Sequence, residues 1–272
     1  MNSLQKYFTL LNKQKRKLFL PYVTLWDPDK EYFLKILKAL QDSGADAIEI
    51  GIPFSDPMAD GPTIQKASQR ALAKGASLRA GFETLKNIKK HISIPILFMS
   101  YYNPVFAMGE NNFFSACCKT GLDGIIIPDL PIEEAKIFIK KAKKTGLASI
   151  CFISPTTPVK RMREINRNAS GFIYYISIKG VTGKRQDFEK EVLENIKLVK
   201  KNTTLPVCAG FGISNAHQAK TLAQYADGVI IGSAIVKIIE RNLDNKKKAV
   251  DEISEFACRI RRALDGKKTS GS

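Results

Sequence analysis

The chain has 272 residues and a formal net charge of +17, from 43 basic and 26 acidic side chains. No apolar run is long enough to span a bilayer, which argues against a membrane-spanning protein, and the basic residues alternate with apolar ones at helical spacing, which favours solvated helix faces over a nucleic-acid site. Its five cysteines include no CxxC pair, a pattern that favours a reducing compartment, so we expect a cytoplasmic protein without disulfides.

The amino-terminal 17 residues predict a helix that closes the floor of the fold. One apolar stripe runs along it at helical spacing, formed by Leu4, Tyr7, Phe8 and Leu11. The segment lacks the apolar centre of a signal peptide.

Eight short apolar runs then predict strands, at 18–24, 47–51, 94–100, 124–127, 148–153, 172–177, 205–209 and 228–232. Helical periodicity fills the segments between them. Asp27 is the expected cap of the first such helix, with Pro28 in its first turn, and helices are also predicted over 131–145 and from Asp187 onward.

Strands that alternate with helices imply parallel pairing, and eight of them favour a closed barrel. We therefore predict an α/β protein: a single (β/α)8 barrel over 1–265 with an extra N-terminal helix, followed by an unstructured tail at 266–272. An open doubly wound sheet is the alternative, but no Gly-x-Gly-x-x-Gly follows the first strand.

A weak internal repeat accompanies this alternation. The octets at 44–51, 121–128 and 225–232 share a helix end, an Asp at their third position, an apolar strand, and a final Gly or Pro. We interpret them as one type of helix-to-strand connection used three times.

Two carboxylates in the stretch 48–61 are candidate acid–base groups. Strand alternation puts Ile48 and Ile50 on one face and Glu49 on the other, away from the apolar layer. A carboxylate in that position needs partners or a function. Asp60 lies eleven positions further on, in a turn-rich loop that could fold back over the strand end.

Glycine-rich turns after the last three strands predict a phosphate site. They are 180–183, 209–214 and 231–235, and the last two run into helices whose amino ends favour an anion. Other chemistries lack their residues: the two histidines, His91 and His217, fall in predicted helices, and no lysine lies inward on a strand. What remains is a carboxylate pair above a phosphate clamp.

The fourteen-residue stretch Ile-Glu-Ile-Gly-Ile-Pro-Phe-Ser-Asp-Pro-Met-Ala-Asp-Gly at 48–61 resembles the signature of the tryptophan synthase alpha chain. The similarity continues over roughly 17–241 and includes all three glycine turns. It implies retro-aldol cleavage of indole-3-glycerol phosphate to indole and glyceraldehyde 3-phosphate, with Glu49 as the general acid at ring carbon C3 and Asp60 as the acceptor of the indole N–H.

The resemblance also implies the substrate-binding residues. Those expected around the phosphate are Thr182, Gly183, Phe211, Gly212, Gly232 and Ser233. Those expected around the indole ring or the catalytic acid are Tyr22, Tyr101 and Tyr174. Alternation allows only one of Tyr174 and Tyr175 into the lumen, and the family match selects Tyr174.

Family resemblance further implies a partner, the tryptophan synthase beta chain, in an alpha2beta2 heterotetramer. Pyridoxal phosphate is then expected in the beta chain, and no cofactor or metal in this one. The loops at 53–60, 103–104 and 128–131 correspond to that interface, although Asp129 could simply cap its own helix. The segment 180–187 could act as a lid.

One departure leaves other functions open. The family usually has Ala-Gly before Asp27, whereas this chain has Leu25 and Trp26, a bulky pair that could reshape the mouth of the site. The alternatives are a weakly active alpha-type chain that mainly activates a beta chain, and a barrel isomerase or epimerase acting on another sugar phosphate.

Overall fold

A closed barrel of parallel strands forms the centre of the protein. The computed structural model describes residues 2–176, 185–210 and 212–266, with side chains except at 185–190. In these ranges the strands pair in chain order around the barrel, each parallel to its neighbours. They are β1 (Leu18–Thr24), β2 (Ile48–Gly51), β3 (Ile96–Met99), β4 (Gly124–Ile126), β5 (Ala148–Ile153), β6 (Ile173–Tyr175), β7 (Val207–Ala209) and β8 (Gly228–Ile231). The predicted (β/α)8 fold is confirmed.

Helices surround the barrel and follow the strands. They are α1 (Ser3–Lys13), α2 (Lys30–Asp42), α3 (Pro62–Leu72), α4 (Leu78–Ile88), α5 (Tyr102–Met108), α6 (Glu110–Thr120), α7 (Ile132–Lys144), α8 (Val159–Asn168), α9 (Arg185–Lys201), α10 (Ala216–Ala223), α11 (Ser233–Arg241) and α12 (Lys246–Leu264). The predicted lid 180–187 lies outside the described residues up to position 184, and the predicted tail lies outside them from position 267.

Alternation along the strands separates two apolar layers. Ile48 and Ile50 belong to the large layer between strands and helices, whereas Ala47 belongs to the cluster inside the barrel. Glu49 lies between Ile48 and Ile50 in the strand, so its side chain points to the opposite face, into the barrel. Its neighbours in the strand register are Tyr22 of β1 and Leu97 of β3.

Helix α1 closes the amino-terminal end of the barrel, as predicted. Leu4, Phe8 and Leu11 are buried and belong to the same cluster as the inward-facing residues Leu18 and Phe172. This apolar plug fills the lower half of the lumen, so a ligand has room only at the opposite end, where the strands finish.

The internal repeat corresponds to one recurrent contact. Asp46, Asp123 and Asp227 each accept a hydrogen bond from the first part of the preceding strand, at 2.8, 2.9 and 2.9 Å from the backbone N–H groups of positions 19, 96 and 207. A cation meets each carboxylate, from Arg16, Lys89 and Lys200 respectively. These clamps fix the start of each strand relative to the next.

Two sequence predictions about helix starts were wrong, and the alternative role considered for Asp129, as cap of its own helix, does not hold. Asp29, rather than Asp27, caps α2 by accepting from the Tyr32 N–H at 2.9 Å. The last long helix before β7 begins at Arg185, ahead of Asp187. Asp129 caps the neighbouring helix α5, because its Oδ1 accepts from the Tyr102 N–H at 2.8 Å.

The unusual pair after β1 packs outward. Leu25 and Trp26 are both buried in the layer between barrel and helices, and the indole N–H of Trp26 donates to Thr84 Oγ1 at 3.0 Å. Trp26 adopts φ 61°, a left-handed conformation that favours glycine. Neither side chain enters the lumen, so this pair does not obstruct the mouth of the site.

Candidate active site

Glu49 lies at the centre of the lumen without a hydrogen-bond partner. Its exposed fraction is 0%, and neither carboxylate oxygen meets a donor among the described residues. Burial, with a smaller contribution from the charge of Asp60, raises the pKa of Glu49 from 4.5 to about 8. Near neutral pH this group is therefore a carboxylic acid that can donate a proton.

Asp60 closes over the same end of the barrel from the loop after β2. The backbone N–H of Ala59 donates to the hydroxyl of Tyr101 at 2.9 Å, and the side-chain amide of Gln65 donates to the Asp60 carbonyl at 2.9 Å. Burial raises the pKa of Asp60 to about 6, against the opposing effect of a hydrogen bond with Tyr101. Asp60 is thus ionised near neutral pH while Glu49 is protonated.

Two tyrosine rings form the wall around Glu49. Tyr22 is buried and Tyr174 is partly buried. Burial of each hydroxyl raises its pKa, and the charge of Glu49 raises it further. Tyr174 lies inside the barrel with its ring centroid 4.8 Å from that of Phe152, whereas Tyr175 belongs to the outer layer. The lumen therefore presents aromatic surface next to the acid.

Strand-end glycines make room for these rings, a feature that the sequence prediction missed. A Cβ atom at Gly51 would lie 2.0 Å from the Tyr22 hydroxyl oxygen, and one at Gly210 would lie 2.6 Å from Cε2 of Tyr174. Any larger residue at either position would displace a tyrosine. The sequence signal for this feature was glycine at the end of β2 and directly after β7, but glycine is equally common there as an ordinary turn residue.

The third tyrosine belongs to the Asp60 side of the pocket. Tyr101 follows β3, is buried, and has its ring centroid 5.4 Å from that of Phe54. Phe54 was not predicted as a site residue, because nothing in the sequence marks the direction of a loop side chain. Together the two rings extend the aromatic lining towards Asp60.

Two of the three glycine turns can be described, and both present backbone at the same end of the barrel. Gly212 has φ +56° and open space at its Cβ position, and Ser233 is the first residue of α11, preceded by Gly232 as its cap. A Cβ on Gly232 would lie 3.2 Å from Cβ of Tyr22. The other predicted phosphate residues, Thr182, Gly183 and Phe211, lie outside the described residues.

A separate cleft of about 490 Å³ lies beside the inner wall of the barrel. It lies between the loops after β4 and β5 and shares Ile150 and Phe152 with the inner wall. Asp129 and Arg161 line its rim, and Arg161 is paired with Glu133 at 2.9 Å. Its lining combines apolar residues with these two charged side chains and with the hydroxyl groups of Ser154, Thr156 and Thr157.

Within the described ranges, no group of three or more His, Cys, Asp or Glu side chains is arranged to hold a metal ion. No helix in that part of the chain has both the length and the apolar character needed to cross a bilayer. The five thiols are all free.

A family model described as "Tryptophan synthase alpha chain" matches residues 8–265. The chain belongs to this family. Among curated relatives, the tryptophan synthase alpha chain of Petrotoga mobilis is 44% identical over 240 residues, covering 88% of this chain and 93% of the relative. That of Thermoanaerobacter sp. is 41% identical over 97% of this chain and 100% of its own length.

Solved structures of tryptophan synthase alpha chains share the fold. The alpha subunit from Legionella pneumophila superposes with a TM-score of 0.90 at 36% identity, covering 98% of this chain and 99% of that one. A structure described as the tryptophan synthase a2b2 complex of Pyrococcus furiosus gives 0.83 at 38% identity, over 90% and 98% of the two chains. The family that the sequence motifs indicated is confirmed, and with it the expected lyase class.

Proposed function

We propose that this tryptophan synthase alpha chain cleaves indole-3-glycerol phosphate with Glu49 as its general acid and Asp60 as the acceptor of the indole N–H. The observation that carries the proposal is the burial of two carboxyl groups at the same end of the barrel, where Glu49 has no hydrogen-bond partner among the described residues and Asp60 is less deeply buried. Burial raises the pKa of Glu49 to about 8 and that of Asp60 to about 6, so between these values one donates a proton and the other accepts a hydrogen bond.

The reaction then needs no metal or imine to accept electrons. Protonated Glu49 delivers its proton to C3 of the indole, which converts the ring into an iminium, and ionised Asp60 stabilises the positive charge at the ring nitrogen. The Glu49 carboxylate next removes the proton from the hydroxyl on the adjacent side-chain carbon. The carbon–carbon bond breaks, its electrons neutralise the iminium, and indole and glyceraldehyde 3-phosphate form.

The substrate's two ends fit the two kinds of surface around this pair. The indole ring would lie against Tyr22, Tyr101 and Tyr174, which supply apolar area next to the acids. The phosphate would bind backbone N–H groups at Gly212 and at the start of α11, where Gly232 and Ser233 lie. Thr182, Gly183 and Phe211 complete the proposed clamp.

A beta chain is the proposed partner, in an alpha2beta2 assembly that carries pyridoxal phosphate in the beta chain and none in this one. Two exposed apolar residues support docking at the loop over 53–60 and at helix α5, which contains the predicted contact 103–104: Met58 is 91% exposed and Phe106 is 68% exposed. Both side chains are therefore available for apolar contact with a beta chain. The free thiols agree with the proposed cytoplasmic location.

Indole release from indole-3-glycerol phosphate, measured with and without a beta chain, tests the proposal. We expect release by the chain alone, and loss of release in Glu49→Gln, which removes the transferable proton but little volume. Release only with the partner would favour the activator alternative, for which Leu25 and Trp26, now located outside the lumen, give no support. No release under either condition would refute the cleavage reaction.

A further inference from the structure

The loop that carries Asp60 is anchored at its far end by helix α3, which begins at Pro62. Few contacts hold Asp60 itself: its N–H donates to the Pro57 carbonyl at 3.3 Å, its carbonyl accepts from Gln65, and its carboxylate interacts with the Tyr101 hydroxyl. Because Asp60 lies only two residues before the helix, any movement of α3 along its axis would move the carboxylate relative to Glu49. The contacts that hold α3 in place therefore bear on the reaction.

Apolar packing holds the amino-terminal half of α3. Ile64 and Ala67 are buried in a small cluster with Tyr22 of β1 and Val236 of α11. Apolar packing is not directional, so it resists separation of the helices better than it resists sliding of one along the other.

A buried, directional ion pair holds the other half. Asp27, which is 0% exposed, accepts two hydrogen bonds from Arg70, at 2.9 Å from Nε and 2.8 Å from Nη2. Lys74, one turn further on, donates to the Pro28 carbonyl. A two-pronged guanidinium–carboxylate contact fixes distance and angle together, unlike a single ammonium contact.

We propose that Arg70 and Asp27 form a positioning pair that sets the location of Asp60 through α3. The inference rests on the proposed function, since it concerns the placement of the residue that accepts the indole N–H. Asp27 follows β1, so the pair attaches α3 to the same strand that supplies Tyr22 and that is registered with Glu49. Strand β1 thereby positions Asp60, which lies in a loop and is not held by strand pairing.

The informative variant is Arg70→Lys, which keeps a positive charge beside the buried Asp27 carboxylate but loses the fork. We expect kcat for indole release to fall about 10- to 100-fold while KM changes less than about threefold, since displacement near 1 Å is costly to the chemical step and the phosphate clamp is untouched. Lys66→Gln is the matched control on the same helix, because the ion pair that Lys66 makes among the described residues, to Glu240 at 3.4 Å, leaves the Lys66 side chain 64% exposed. Its kcat should stay within about twofold of wild type.

A double-variant comparison separates positioning from general destabilisation. If Arg70 acts through Asp60, Arg70→Lys should reduce kcat no further in an Asp60→Asn background, whereas a merely structural effect would reduce it by the same factor in both backgrounds. An unchanged kcat in Arg70→Lys, or equal factors in both backgrounds, would overturn the inference. Asp27→Asn, which preserves shape and loses the charge, should behave like Arg70→Lys and serves if that variant unfolds.

Hydrogen exchange provides a readout that does not need activity. Backbone amides of 54–62 should exchange faster in Arg70→Lys than in wild type, while those of β1 and β2 stay unchanged. If wild-type protein released no indole, the proposed function would fail, and this measurement would still decide the positioning role. Equal exchange in the 54–62 loop of both proteins would overturn it.

Discussion

The unpartnered carboxyl of Glu49 predicts a specific dependence of stability on pH. Its pKa is raised from 4.5 to about 8 by burial and by Asp60, so the folded state holds a proton that the unfolded chain releases. The wild-type free energy of unfolding should therefore fall as the pH rises from about 4.5 to about 8, and level off above that. Glu49→Gln carries no titrating group there and should lack this decline.

The magnitude follows from the difference between the two pKa values. A difference of about 3.5 at about 1.4 kcal/mol per unit gives about 5 kcal/mol as the upper bound. At pH 5 the variant and wild type should be about equally stable, because glutamine closely matches the protonated acid in shape. At pH 9 the variant should be more stable by about 2 to 5 kcal/mol, although it is inactive at both pH values.

Urea unfolding of both proteins at several pH values between 5 and 9 measures this difference. Glu255→Gln is a suitable control, because the Glu255 side chain is 72% exposed on α12 and should give a curve parallel to that of wild type. Parallel curves for wild type and Glu49→Gln would refute the reasoning, since they would mean that Glu49 is solvated or paired in the folded protein. If Glu49→Gln were less stable relative to wild type at pH 9 than at pH 5, folding would lower the pKa of Glu49 instead of raising it.

Other expectations concern the rate profile, the phosphate clamp and the departure after β1. The pH profile of kcat/KM should be bell-shaped, with an acid limb near 6 from Asp60 and a basic limb near 8 from Glu49. Asp60→Asn should leave some activity and remove the acid limb. If the acid limb remained in this variant, it would belong to a group other than Asp60. Gly212→Val should raise KM about tenfold with little change in kcat. Gly75→Val, also at positive φ in open space, is the control: it should lower stability in urea and leave KM unchanged. Equal KM values in the two variants would argue against the phosphate clamp. Trp26→Gly should lower the free energy of unfolding, measured in urea, by about 1 to 4 kcal/mol, because loss of a buried indole costs about 3 to 5 kcal/mol and relief of its left-handed backbone returns about 1 to 2 kcal/mol. A more stable variant would contradict this balance.

Local patterns in the sequence were sufficient for the architecture because they report directly on burial. Alternation of apolar residues around Glu49 indicated that its side chain points away from the outer layer, and the structure places it in the lumen. The repeated Asp connections could also be predicted from the sequence, since Asp46, Asp123 and Asp227 occupy the same place in each octet. Their partners were not, because strand N–H groups 20 to 27 residues away become neighbours only when the strands pair.

Helix starts show where local rules compete. Both Asp27 and Asp29 are suitable caps, and sequence alone favoured the first because Pro28 follows it. The fold selects Asp29, since Arg70 of α3 reaches Asp27 and holds its carboxylate in a buried pair. Such a choice depends on a contact between residues 43 positions apart, which no local pattern records.

Sequence patterns alone were enough to establish the alternation of strands and helices, the inward direction of Glu49, and the motifs that assign the chain to the tryptophan synthase alpha chain family. The tertiary structure decided how far Glu49 is removed from water, which glycines accommodate Tyr22 and Tyr174, and where Leu25 and Trp26 pack. The reason is physical: side-chain direction follows from backbone periodicity, which is local, whereas the pKa of a carboxyl group and the space around a ring depend on atoms contributed by distant strands.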